Sequence, residues 1–189
     1  TIFRIQAQRM GPFPARIQDV GVTIDLATHD IDIMRYVLSA DVTRLYAETA
    51  QNIHTSNEDT MDATLRFDND TIGTLNINWL TPTKIRELTV AGAKGMYRVN
   101  YITQELYFFE NEYAPTQWEA LRSLRGMGEG AMIRYKVARY EPLRAELERF
   151  VACARGDAQP LISGEDGMKA LAAAQMLVRS GREGVAINL

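Results

Sequence analysis

The chain has 189 residues, 46% of them hydrophobic and 24% charged, which suits one ordinary globular domain and excludes disordered or collagen-like architectures. Its 21 Lys and Arg against 24 Asp and Glu leave a net charge of -3 with the basic residues scattered, which argues against a nucleic-acid or membrane-surface partner found by electrostatics. Every apolar stretch is interrupted well before the roughly 20 residues that a bilayer requires, so a soluble protein is expected. The single cysteine, Cys153, has no partner for an internal disulfide, and a reducing, cytoplasmic setting is the default expectation.

Residues 1–10 alternate loosely and read as a strand, not as a basic and then apolar leader. They stop at Gly11-Pro12-Phe13-Pro14, where two prolines remove backbone donors. From about Val22 the spacing turns helical. Ile24, Ala27, Ile31, Met34 and Leu38 share one face, and Leu26, Ile33 and Val37 form a second apolar stripe, so a largely buried helix is expected, ending near Ser39-Ala40.

From 41 to 109 the period drops to two. Met61, Ala63, Leu65 and Phe67 alternate with polar residues, the turn Asp68-Asn69-Asp70 follows, and Leu75, Ile77 and Trp79 alternate in turn. Pro82 is expected to break the chain before further runs at 85–91, 96–101 and 105–109, giving a meander with one apolar face and one Thr- and Asn-rich face. The polar face is left to solvent or to a partner subunit. Residues 111–131, with Pro115, Trp118, Gly126, Gly128 and Gly130, read as a long irregular excursion.

Pro142 suits the first turn of a helix that carries Leu143, Leu147, Phe150 and Val151 on one face and stops at Gly156. Ser163 and Asp166 have capping-box spacing and open a last helix with Met168, Leu171, Ala172, Gln175 and Val178 inward, before a closing strand at 185–189. The order predicts a single α+β domain over 1–189, with helices on one face of an open, mostly antiparallel sheet.

The segment with chemical content is 19–32. On a regular helix Asp25, His29 and Asp32 lie four and three residues apart, between the two apolar stripes, so two acids flank one imidazole. An ionised Asp one turn away raises a histidine's pKa and fixes its ring, as proton transfer near neutral pH requires. The alternative is a capping Asp25 with a core His29 bonded to it. Asp30 brings the count to three acids and one of the chain's two histidines within eight residues, and fold stability alone would not select such a cluster in a buried helix. A metal reading is weak, because all three ligands would come from one helix and His54 lies in a loop. Gly126, Gly128, Gly130 and Ala131 match a dinucleotide fingerprint in spelling only, with no β-branched strand before them. Cys153 reads as an inert core thiol.

Gly21-x-x-x-Asp25-x-x-x-His29 resembles the second signature of the glucose-fructose oxidoreductase, inositol dehydrogenase and MocA family, Gly-Gly-Gly-x-x-x-Asp-x-x-x-His, with Asp19 and Val20 in place of the first two glycines. The resemblance extends through Trp79-x-x-Pro82-x-Lys84-x-Arg86, Gly92-x-x-Gly95, Glu141-Pro142-Leu143, the 163–167 helix start and Ser180, with 111–139 least matched. It implies an N-terminal Rossmann domain that is not in this sequence. The chain, which starts at Thr1 without Met, is then the C-terminal, substrate-side domain of a longer enzyme.

By the same resemblance, NAD or NADP is bound mainly by the absent domain, His29 exchanges a proton with a substrate hydroxyl, and Asp25 orients His29 or holds a neighbouring hydroxyl. Asp32 and Lys84 are candidate substrate contacts. Arg9 and Arg16, in and beside the proline-stiffened loop, resemble positions of members that oxidise nucleotide sugars and are candidates for pairing a phosphate. The implied partners are a sugar or nucleotide-sugar substrate, the chain's own Rossmann domain, and further copies of itself through the polar sheet face. The fragment alone is expected to be inactive. A non-catalytic assembly or ligand-binding domain remains the rival reading, and a metal-dependent hydrolase or isomerase a more distant one.

Overall fold

The computed structural model describes residues 1–17, 19–53, 56–113 and 127–189. Among these, nine strands form one open sheet in the order β8-β7-β6-β5-β1-β4-β3-β2-β9. In chain order they are β1 (Ile2–Pro12), β2 (Val42–Ala50), β3 (Thr60–Phe67), β4 (Ile72–Asn78), β5 (Leu80–Gly92), β6 (Gly95–Asn100), β7 (Glu105–Tyr113), β8 (Met127–Tyr135) and β9 (Ile187–Asn188). The α-helices are α1 (Thr28–Leu38), α2 (Pro142–Ala154) and α3 (Gly164–Glu183), and a π-helical turn, Thr23–Ala27, runs directly into α1. Among the described residues no helix is long and apolar enough to cross a membrane.

The α+β architecture with a mostly antiparallel sheet is as the alternation predicts, but the meander is split. β1 lies between β4 and β5, parallel to the first and antiparallel to the second. The register explains why: Ala7 faces Leu75 on one side and Leu88 on the other, so an apolar row is completed only with β1 in the middle. Pro82 does not break the chain but lies inside β5. Pairing of β5 with β6 begins at Glu87 opposite Asn100, so the 80–86 arm has one edge free of β6, where a missing amide donor is tolerated.

The excursion expected at 111–131 is partly strand, since β7 pairs with β8. Gly130 serves that ladder, because a Cβ there would sit 2.9 Å from the Glu110 carbonyl oxygen. Pro115, Trp118 and Gly126 lie outside the described residues, as does His54.

Ile5, Leu45, Met61, Leu65, Leu75 and Ile77 of the sheet pack under Ile31 and Met34 of α1 and under Ala173, Ala174 and Leu177 of α3. Each buried aliphatic side chain contributes about 1.5–3 kcal/mol. α1 ends as expected at Ser39, which takes a left-handed conformation with φ 48°. Its second stripe is only partly covered, with Ile33 half-buried and Val37 exposed.

α3 has the expected capping box between Ser163 and Asp166, but its inward face is Ala170, Ala173, Ala174, Leu177 and Ser180. Met168 and Leu171 point outward. Small side chains bring the helix close enough to β2 for the Ser180 hydroxyl to accept from the Ala47 amide at 3.0 Å, which the larger residues would prevent. α2 is the second departure. Gly156, with φ 82°, stops it as expected, yet none of its residues is buried, and Cys153 is half-buried instead of a core thiol because the described residues do not bury the helix.

Candidate active site

The helix that carries the predicted cluster begins against Glu58. A Cβ at Gly21 would collide with the Glu58 carboxylate. That carboxylate accepts from the Thr23 amide at 3.3 Å and the Glu58 carbonyl accepts from the Val22 amide at 2.9 Å, so Glu58 satisfies free amides of the first turn.

The turn so opened is π-helical, with an extra residue per turn, and such a turn rotates everything after it relative to a regular wheel of about 100° per residue. The turn therefore shifts Asp25 relative to His29 and Asp32, which both follow it on the regular helix α1. Asp25, half-buried, lies toward Arg86 and favours that side chain's charge. Asp32 instead lines a cleft of ≈ 330 Å³ together with Arg35, Tyr36, Asp41, Asp166 and Lys169. Burial pushes the Asp32 carboxyl above its usual range, opposed by Arg35 and His29 and reinforced by Asp166. His29 is exposed, and among the described residues neither it nor Asp25 has a side-chain hydrogen bond or ion pair.

Asp30, adjacent to His29, is buried. Arg9 grips it with two hydrogen bonds, Nε to Oδ2 at 2.7 Å and Nη2 to Oδ1 at 2.8 Å, and the two side chains are only 15% and 2% exposed. Arg9 follows Ile5 and Ala7 on the helix face of β1, so this pair ties the end of the strand to the start of α1. Directly across the ladder from Arg9 stands Arg86. Burial first, then the Arg9 charge, holds the Arg86 pKa below its ordinary value, while Asp30 and Asp25 favour its charge. Its Nη1 donates to the carbonyls of Met10 at 2.6 Å and Ile85 at 2.8 Å. The Tyr101 amide in turn donates to the Arg86 carbonyl at 2.9 Å. The hydroxyl of Tyr101, with Thr23 Oγ1 and Trp79 Nε1, is buried without a partner among the described residues.

Of the other predicted contacts, Arg16 and Lys84 are exposed cations without an ion pair among the described residues. Glu58, Tyr101 and the role of Asp30 as the counter-ion of Arg9 are absent from the sequence-based expectations. Arg86 enters those expectations only through the family pattern. The missing signal is the register, since nothing in the alternation of β1 says that β5 lies beside it. Among the described residues no three His, Cys, Asp or Glu side chains converge on a metal position. The same residues offer no cradle for a dinucleotide either. The segment where β1 ends carries Pro12 and Pro14 instead of spaced glycines, and Gly128 and Gly130 lie in antiparallel β8.

The arrangement supplies an exposed imidazole free of other bonds, an unpaired half-buried carboxylate, and a charged row on the sheet beneath the same helix start. These groups suit proton exchange with a hydroxyl on a polar, multiply hydroxylated ligand.

A family model described as the GFO/IDH/MocA C-terminal domain matches residues 2–98. No curated protein matches the chain. Among solved structures, UDP-N-acetylglucosamine 3-dehydrogenase from Acidithiobacillus ferrooxidans superposes with a TM-score of 0.81 at 19% identity, over 95% of this chain and 55% of that one. The WlbA dehydrogenase from Bordetella pertussis, in complex with NADH and UDP-GlcNAcA, gives 0.69 at 24% identity, over 100% and 54%. Aldose-aldose oxidoreductase from Caulobacter crescentus, complexed with glycerol, gives 0.77 at 16% identity, over 100% and 56%. The chain thus spans about half the length of the solved structures it matches.

Proposed function

The chain belongs to the GFO/IDH/MocA family, and on that premise we propose that it is the C-terminal, substrate-side half of an oxidoreductase that oxidises a secondary hydroxyl of a sugar, cyclitol or nucleotide sugar in the cytoplasm. The observation that carries the reading is His29, exposed and unbonded at the start of a helix whose next residue is anchored through Asp30 to the sheet. A base held this way keeps its position without losing its lone pair to a neighbour.

His29 takes the proton of the reacting hydroxyl. Asp25 holds an adjacent hydroxyl or turns the imidazole. Arg9 acts as an anchor, since its fork is occupied by Asp30, and Arg16 and Lys84 stand as free cations for the outer part of the ligand. The hydride acceptor, NAD or NADP, belongs to a Rossmann domain outside this sequence. The apolar stripe of α2, with Leu143, Leu147 and Phe150 exposed, supports the presence of such a neighbouring domain. The polar outer face of the sheet, with Gln6, Gln8, Thr74 and Asn76, is the surface for pairing with a second copy.

The test is His29→Ala in the protein that carries both halves. Turnover falls by about 10²–10⁴-fold while NADH affinity stays within about twofold. Unchanged turnover removes His29 from the mechanism. Micromolar binding of NADH by the 189-residue chain alone would overturn the division of labour.

A further inference from the structure

Gly21 has a backbone outside the left-handed region, so an alanine would be unstrained there, yet a Cβ at that position would overlap the Glu58 carboxylate. The bare Cα of Gly21 is the floor on which that carboxylate rests. From this seat it accepts from the Thr23 amide at 3.3 Å, while the Glu58 carbonyl accepts from the Val22 amide at 2.9 Å. Glu58 is itself fixed by its neighbour. Asp59, fully buried, accepts from the Asn52 and Ile53 amides at 3.0 and 2.8 Å and from Asn52 Nδ2 at 2.8 Å, and its own amide and carbonyl bond to Ala50 and Trp79.

What Glu58 ties down is a π-helical turn, Thr23–Ala27, in which amides bond five residues back instead of four. Such turns are rare and seldom exceed one turn, so this one depends on contacts from outside the helix. Within it, the Thr28 hydroxyl donates at 2.9 Å to the Ile24 carbonyl, the group that the Thr28 amide would bond in an α-helix. At the far end Asp30 is locked to Arg9. Asp25 and His29 lie between the two ties. On an α-helix these residues, four apart, stand one above the other, where a carboxylate reaches the imidazole. In the π register they are offset, and among the described residues neither has a side-chain hydrogen bond or ion pair. With Asp30 locked, a return to α winding rotates the start of the helix, and the bonds from Val22 and Thr23 to Glu58 oppose that rotation.

We propose that Glu58 is a positioning residue: seated on Gly21, it holds the Thr23–Ala27 turn in its π register and so keeps Asp25 off the His29 imidazole, which leaves the base free for the substrate hydroxyl. The last clause rests on the functional reading given above, and the hold on the turn does not. A tie present in one register and absent from the other shifts the balance between them by its own strength.

The register is read in the 189-residue chain from scalar couplings across hydrogen bonds, which identify the carbonyl that each amide of the turn donates to. The parent is expected to couple five residues back. Glu58→Ala removes the carboxylate and Gly21→Ala displaces it; both should couple four residues back, with the His29 imidazole N–H protected from exchange as Asp25 bonds it. In the protein that carries both halves, the same two variants lower kcat by about 10–100-fold with KM within about threefold. Glu58→Gln, which keeps an acceptor oxygen for the Thr23 amide, retains the parent's register and a turnover within about threefold. Gly21→Ala combined with Glu58→Ala is no worse than either alone, since both act through one contact. Should Glu58→Ala fail to fold, Gly21→Ala and Glu58→Gln decide. Couplings that stay five residues back in Glu58→Ala or Gly21→Ala overturn the proposal, and so does a loss in Glu58→Gln as large as that in Glu58→Ala. Switched couplings with unchanged turnover keep Glu58 as the holder of the turn and overturn the role of His29 instead.

Discussion

At the level of Ala7 the helix face of the sheet is a row of Leu75, Ala7, Leu88 and Val99, contributed by β4, β1, β5 and β6. Two residues further along β1, the strands β4, β1 and β5 contribute Ile77, Arg9 and Arg86, and Tyr101, bonded to Arg86 just past the end of β6, continues the row. The first row is part of the core and is stabilised by removing apolar surface from water. The second is held by one bidentate ion pair, Arg9 to Asp30, in a setting where desolvation of each charge costs several kcal/mol. The contrast locates the candidate site at the edge of the core. There the strands are rigid enough to fix charged groups, and the overlying helix start exposes His29.

The comparison is broken most directly at Asp30. Asp30→Ala leaves the Arg9 guanidinium buried without its counter-ion, and a loss of about 3–5 kcal/mol in unfolding free energy is expected, read from urea denaturation. The double variant Arg9→Met with Asp30→Leu should recover most of that loss, because an apolar pair of similar volume extends the Ala7 row by one step. A loss below about 1 kcal/mol for Asp30→Ala, or no recovery in the double variant, means that the pair is not what anchors the polar row.

The two rows were unequally legible. Alternation alone placed Leu75, Ile77, Met61 and Leu65 inward, and all four are buried. Helical spacing did the same for Ile31 and Met34. Capping chemistry located the start of α3 at Ser163, and Gly156 the end of α2. The polar row escaped because its members lie far apart in the chain and meet only through the insertion of β1 between β4 and β5, a long-range pairing that local period cannot report. The Asp25, His29 and Asp32 trio presumes one α-helical wheel, whereas the π turn at Thr23–Ala27 shifts Asp25 relative to the other two, and Asp32 lines a cleft with Arg35 and Asp166. On α3 the expected face of Met168, Leu171, Ala172, Gln175 and Val178 is not the buried one, because close approach to β2 favours the Ala170, Ala173 and Ala174 face.

Asp32 and Asp41 share that second cleft and sharpen the comparison through pH. Hydrogen bonds from Lys169 and then Arg35 hold the Asp41 carboxyl below its usual range, so its contribution is present above the ordinary carboxylate pKa and is lost as pH falls through the depressed value. Asp32 has the opposite sign. Its raised pKa means that the folded state binds the proton more tightly, so stability from protonated Asp32 is lost as pH rises through that value. Melting temperature measured from roughly pH 3 to 7 should show a flatter acid limb for Asp41→Asn. Asp32→Asn should instead be more stable than the parent toward neutral pH. Both effects are smaller than that of Asp30→Ala, since the Asp41 side chain is 45% exposed and screened by solvent. Identical pH profiles for the two variants would show that the cleft does not separate the two carboxyls.

The smallest effect is expected on α2, whose stripe has the same helical spacing as that of α1 but the opposite environment. Met34 of α1 is fully buried, whereas Phe150 of α2 is 70% exposed. Met34→Ala should therefore cost about 2–5 kcal/mol in the 189-residue chain, through lost transfer energy and the cavity left behind. Phe150→Ser should change its stability by no more than about 0.5 kcal/mol, because the ring is mostly exposed among the described residues. A loss for Phe150→Ser comparable to that of Met34→Ala would place α2 against the domain's own core and withdraw its support for a neighbouring domain. If that neighbour is the surface the stripe meets, the same substitution becomes costly only in the protein that carries both halves, where Phe150 passes from water into an interface and removing its ring leaves a cavity there.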